Sequence, residues 1–142
     1  MDRPSVPFEI LEHPADVGFL AHGRTLEELF ANAALAMMSL GWELDAVKEK
    51  ERREIEAAGE DTDTLLYDWL SSILAVADAE GMVFRRFEVS ELGESRARGA
   101  AWGEPFDNSR HRALTYIKAV TLHQFEVKQS ERGWTARVYL DV

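Results

Sequence analysis

Residues 61–87 read Asp61-Thr62-Asp63-Thr64-Leu65-Leu66-Tyr67-Asp68-Trp69-Leu70-Ser71-Ser72-Ile73-Leu74-Ala75-Val76-Ala77-Asp78-Ala79-Glu80-Gly81-Met82-Val83-Phe84-Arg85-Arg86-Phe87. A change of period inside this stretch decides the fold class. Leu65, Leu66, Trp69, Leu70, Ile73, Val76 and Ala77 recur at three- and four-residue spacings, the apolar stripe of an amphipathic helix. Asp61 and Asp63 stand where carboxylates suit the positive end of the helix dipole. Gly81 is a natural stop, and Val83 to Val89 then reads as a strand. Helix and strand adjoin within one unit, so the chain mixes both.

Toward the N-terminus, Thr25-Leu26-Glu27-Glu28 is a capping box. Behind it Leu26, Leu29, Phe30, Ala33, Met37 and Leu40 form a second helical stripe, which Gly41 ends. Phe8 to Leu11 and Val17 to Ala21 read as strands around the turn His13-Pro14-Ala15-Asp16. Glu51 to Ala57 reads as a strand with charges outward and Ile55 inward. Toward the C-terminus, Arg96 to Trp102 pairs with Val83 to Val89 through Leu92-Gly93-Glu94. Ile117 to Val127 and Trp134 to Leu140 are joined by Ser130-Glu131-Arg132-Gly133, a hairpin signal. Trp134, Ala136, Val138 and Leu140 share one face of the last strand, and Thr135, Arg137, Tyr139 and Asp141 the other. The order is ββαβαββββ: an α+β fold, a mostly antiparallel sheet with two packed helices, in one domain over residues 1–142.

A chain of 142 residues buries about 70% of the surface it exposes when unfolded. It has no cysteine, which removes disulfides and thiolate chemistry and fits a reducing compartment or a hot one. Met1-Asp2-Arg3-Pro4-Ser5 shows no signal core, and no run is long and apolar enough for a membrane span, so the expected location is the cytoplasm. Sixteen basic residues against twenty-six acidic ones give a net charge of −10. Nucleic-acid binding depends on cationic side chains displacing counterions. The charge therefore argues against strong direct nucleic-acid binding and suits a cation, a basic protein partner, or simple solubility. Phosphate-binding, dinucleotide-binding, zinc-protease and serine-hydrolase motifs are absent. The histidines His13, His22, His111 and His123 show no helical ligand spacing; His22 and His111 read as surface residues.

Three constellations remain. In His13-Pro14-Ala15-Asp16-Val17-Gly18, Asp16 either bonds its own turn or is presented at a fixed position. In Leu140-Asp141-Val142, the Asp141 side chain and the α-carboxylate of Val142 are neighbours, both ionised at neutral pH. Their repulsion is relieved by a hard cation; the alternative is a frayed terminus. In the third, Lys118 and His123 lie on a strand that reads as buried, so they pair with Glu104, Asp107 or Asp141, or else face a functional surface.

Several of these segments, taken in order, resemble the archease family. The matching pieces are His13 to Gly18, Thr25 to Ala34, Leu65 to Leu70, Phe84-Arg85-Arg86-Phe87, Gly103-Glu104 with Asp107, Ile117 to His123, and Trp134 to Val142. Pro14 stands where many members have Thr, and Ile117 where Val is more usual. The resemblance implies a non-catalytic accessory protein of the RtcB-type tRNA-splicing RNA ligase, promoting ligase guanylylation and multiple turnover. It implies a metal site at Asp16, Asp141 and the terminal carboxylate of Val142, for Ca²⁺ first and Mg²⁺ or Mn²⁺ next. His13, Glu104, Lys118 and His123 are implied as supporting or partner-facing. Two rival readings are a metal-dependent phosphoesterase using Asp16, Asp141 and His123, and a chaperone-like protein.

Overall fold

The structure is a computed structural model and describes residues 6–12 and 16–142. Strands β1 (Phe8–Glu12) and β2 (Val17–Gly23) lead into helix α1 (Leu26–Gly41). The two-residue strand β3 (Trp42–Glu43) and a 3-10 turn (Leu44–Ala46) then bring the chain to β4 (Glu51–Ala58) and helix α2 (Thr62–Glu80). Strands β5 (Met82–Leu92) and β6 (Arg96–Pro105), the short β7 (Arg112–Ala113), β8 (Ala119–Ser130) and β9 (Gly133–Asp141) complete it. Apart from β3 and β7, the order is ββαβαββββ, as the sequence predicts.

Local chemistry sets the helix ends. The Thr25 hydroxyl accepts from the Glu28 amide at 3.1 Å, and Glu28 reaches back to the Arg24 amide at 3.0 Å, one residue before the cap. Asp61 and Thr64 form a reciprocal capping box on α2. Gly81 ends α2 with φ +63°, the left-handed geometry a glycine adopts without a Cβ clash.

The strands divide into two main antiparallel sheets rather than one. One has the order β1-β2-β9-β8 and the other β4-β6-β5. Both helices touch both sheets: α1 lies on β2 and β5, and α2 on β4 and β8. The helices are the layer that joins the sheets, so each must be apolar over a wide arc. Helix α1 accordingly buries Ala34, Ala36 and Met38 as well as Leu29, Phe30, Ala33 and Met37 of its predicted stripe. The helices meet at Trp69, fully buried, whose indole N–H donates to the Phe30 carbonyl at 3.1 Å. Phe19, Val138 and Leu140 close the core from the four-stranded sheet, and Ile55 and Phe84 from the three-stranded one.

Two expectations are corrected. Strand β8 begins at Ala119 rather than Ile117, and it is an edge strand, largely exposed rather than buried. Its pairing with β9 is interrupted between Thr121 and Glu126, where Gln124 takes a positive φ of 52°. An edge strand has one neighbour and less cover, so its alternating apolar residues do not all turn inward.

Candidate functional site

Strand β9 lies between β2 and β8, and its end gathers residues from three parts of the chain. The ladder of β2 with β9 ends with Val17 opposite Leu140. Asp16, directly before β2, and Asp141, the last residue of β9, lie one position further on, at the same end of the sheet. On the other side Ala119 pairs with Asp141, and the Lys118 amide donates to the Asp141 carbonyl at 2.8 Å. Asp16 is half-buried, while Lys118, Asp141 and Val142 are exposed.

Alternation sets which face these residues share. Phe19, Val138 and Leu140 turn to the helices and are fully buried. Gly18 and Tyr139, a directly opposed pair, turn to the other face, the one alternation along β9 assigns to Asp141. The Tyr139 ring lies across Gly18 so closely that a Cβ there would sit 2.6 Å from Tyr139 Cδ1. His123, exposed on β8, brings its ring to 5.8 Å from that of Tyr139. Tyr139 was not singled out as a site residue, although the period-two pattern already placed it on the face of Asp141.

Asp16, Asp141 and the carboxylate of Val142 would offer only oxygen donors, the chemistry hard cations such as Ca²⁺ prefer. The Asp141 backbone is held by its ladder pairing with Ala119, and Asp16 directly precedes the first ladder residue of β2. Among the described residues no three His, Cys, Asp or Glu side chains gather as a metal-holding group. A hard cation held here would take oxygen ligands from Asp16, Asp141 and Val142, with water or a partner completing the shell. His13 lies outside the described residues.

Glu104 does not join this end of the sheet. It sits in β6 opposite Val83, in the other sheet, and is 2% exposed. Its carboxylate accepts from Arg110 Nη2 at 2.7 Å, from the Lys48 amide at 2.7 Å and from His111 Nε2 at 3.0 Å. The hydrogen bond from Arg110 is the main reason its pKa falls from 4.5 to about 2, against the opposing effect of burial. Asp107 caps the turn that follows: Ser109 hydroxyl, Ser109 amide and Arg110 Nε all donate to it, and its carboxyl is lowered chiefly by the Ser109 hydroxyl. Glu104 and Asp107 are thus engaged by Arg110 rather than by Lys118 or His123, and they build a structural corner.

The surface reading of two histidines is also corrected. His111 is 5% exposed in the Glu104 corner, with its Nδ1 accepting from the Asp107 amide at 2.9 Å. His22 is 9% exposed and lies 2.8 Å from Glu9 and 3.1 Å from Thr135. Each imidazole is buried because it has polar partners on neighbouring strands or turns, which sequence spacing does not reveal.

No helix among the described residues is long and apolar enough to cross a membrane. The sequence profile of the Archease protein family matches residues 8–142. The chain is 41% identical over 140 residues to the Protein archease of Methanopyrus kandleri, covering 96% of this chain and all of that one. It is 40% identical over 139 residues to the Protein archease of Methanosarcina mazei, covering 95% of each. The solution structure of Methanobacterium thermoautotrophicum protein 1598 superposes with a TM-score of 0.84 at 38% identity, covering 96% of this chain and 99% of that one. A Thermotoga maritima crystal structure, described as an archease and possible chaperone, shares the fold with a TM-score of 0.62 at 21% identity, covering 100% of this chain and 98% of that one. On profile, identity and fold together, this chain belongs to the archease family.

Proposed function

We propose that this archease is a non-catalytic, metal-binding accessory factor that activates an RtcB-type RNA ligase, promoting ligase guanylylation and multiple turnover. The supporting observation is that Asp16, directly before β2, and Asp141, at the end of β9, fall at one end of the sheet, beside Val142. Such a cluster holds a hard cation, for which Ca²⁺ is the first choice and Mg²⁺ or Mn²⁺ the alternatives. The ion, when bound, supplies positive charge and coordination sites at the rim of the sheet. Asp141 holds its carboxylate on the ladder, Asp16 presents its own just before β2, and Lys118 orients the strand end through its amide. The net charge of −10 favours approach to the basic surface an RNA-handling enzyme presents. The chain would favour the ligase conformation it binds best, since a partner shifts an equilibrium by its differential affinity.

The test is guanylylation and multiple-turnover ligation by the cognate ligase with wild type, Asp16→Ala and a Val142 deletion. Stimulation lost in both variants supports the helper role and the site. Stimulation kept in both discards the site, and a folded wild type without effect discards the role. The position of His123 beside Tyr139 supports a second reading, a phosphoesterase using Asp16, Asp141 and His123. It predicts Mn²⁺-dependent hydrolysis of an activated phosphate ester by the isolated protein, abolished in Asp141→Asn.

A further inference from the structure

Where the C-terminal ends of α1 and α2 meet the segment 106–117, a cleft of about 400 Å³ opens, well away in sequence from the Asp16 turn. Met37, Met38 and Met82 line it and are buried. Phe106, Leu114 and Tyr116 also line it, and they are 42%, 48% and 70% exposed. Large apolar side chains left in water together, beside a cleft of ligand-binding size, mark an interaction site. Methionines add to this, because their unbranched side chains adapt to varied apolar shapes.

Among the residues that line the cleft, charge has one sign. Asp78, exposed, is the only charged residue among those lining it. Gly81 just beyond α2 lines it, so the negative end of that helix faces the opening, whereas the Leu40 and Gly41 carbonyls at the end of α1 accept from the Thr115 and Leu114 amides. Helix α2 carries no basic residue in its last turn to offset that charge. The surroundings therefore favour a cation beside whatever apolar group enters. A second copy of this chain, with its own net charge of −10, is disfavoured by repulsion.

We propose that this cleft docks a peptide segment of a protein partner, one that presents an aromatic or long aliphatic side chain next to Lys or Arg. The apolar side chain enters among the methionines, and the cation lies toward Asp78 and the end of α2. This assignment is independent of the ligase reading.

The experiment follows amide resonances of the ¹⁵N-labelled full chain. It is titrated with acetyl-Arg-Phe-Leu-Arg-amide and with acetyl-Glu-Phe-Leu-Glu-amide, and the protein alone is run as a dilution series. The basic peptide is expected to give saturable shifts within 37–42, 74–82 and 113–117, with about tenfold tighter binding than the acidic one. Asp78→Asn should reduce that preference severalfold, and Tyr116→Ser, at an exposed position, should weaken the basic peptide without unfolding the chain. Equal affinity for the two peptides overturns the proposal, as do shifts that map elsewhere or no saturable shift. Movement of the same resonances on concentrating the protein alone would instead assign the cleft to a second copy.

Discussion

The Nε2 of His111 lies 3.0 Å from the carboxylate of Glu104, with the two side chains almost wholly out of solvent. Around this pair, Arg110 binds the other Glu104 oxygen and the Lys48 amide shares the first. One corner thus ties β6 to the loop before β4 and to the turn before β7. A carboxylate withdrawn from water survives there because it has both charge compensation and hydrogen bonds.

Removing that carboxylate should be costly. Glu104→Ala leaves Arg110 and the Lys48 amide without their acceptor, and such losses cost about 3–5 kcal/mol. Glu104→Gln keeps the shape and part of the bonding and should cost less. Urea unfolding of the three proteins checks this ranking; equal stabilities would mean that the corner contributes nothing.

The pH dependence follows from the same group. Its folded pKa of about 2 lies below the ordinary 4.5, so its stabilising effect is complete above the ordinary value and is lost as pH falls through about 2. Asp61 and Asp107, also lowered, act in the same direction, while Asp63, raised chiefly by burial, opposes it. Unfolding free energy should therefore decline between about pH 4.5 and about 2. The decline should be shallower in Glu104→Gln, and parallel curves would show that other groups carry it.

The tautomer of His111 is set by its neighbours. The Asp107 amide donates to Nδ1, so the ring proton belongs on Nε2, facing Glu104. Long-range ¹H–¹⁵N correlations at neutral pH should display an Nε2–H imidazole. An Nδ1–H pattern would exclude the Asp107 bond.

Near the acidic end of the other sheet, Gly18 is held to its identity by Tyr139. A Cβ at position 18 would sit 2.6 Å from the Tyr139 ring and 3.0 Å from the Val138 carbonyl, so the ring must swing away. Gly18→Ala should cost about 1–3 kcal/mol, the usual penalty of overpacking. Much of that loss should disappear when Tyr139→Ser is the background, and thermal unfolding of the double-mutant cycle measures it. Additive losses would argue that the contact is not the cause.

On the outer face of the three-stranded sheet, the Arg86 guanidinium sits 3.7 Å from the Trp102 ring centre, and Arg52 approaches at 5.8 Å. Trp102→Leu keeps apolar area but removes the ring face, and should cost about 1 kcal/mol. Trp102→Leu in an Arg86→Gln background should cost clearly less in chemical denaturation. An unchanged cost there would assign the loss to packing alone.

The elements themselves were legible wherever one stretch of chain decides its own conformation. Thr25 and Asp61 mark helix starts because an N-cap bonds an amide three residues on, and Gly81 marks an end because its φ is positive. The hairpin at Ser130–Gly133 and the pairing of β5 with β6 follow from turn residues and strand period in the same way. Asp16 and Asp141 stood out by residue type, and alternation assigned Asp141 and Tyr139 to one face before any pairing was known.

What partners each group across the fold was decided elsewhere. The sequence alone determined that this is an α+β chain with two capped helices and acidic residues beside its early turn and its last strand. Only the tertiary structure placed β9 between β2 and β8, which brings Asp16 and Asp141 to one end of a sheet. It likewise enclosed Glu104, His22 and His111, left β8 exposed as an edge, and opened the cleft between the two helix ends. The physical reason is range. Capping, turn geometry and hydrophobic period act over a few residues, whereas strand order, burial and charge pairing depend on contacts between segments that the chain must first fold to bring together.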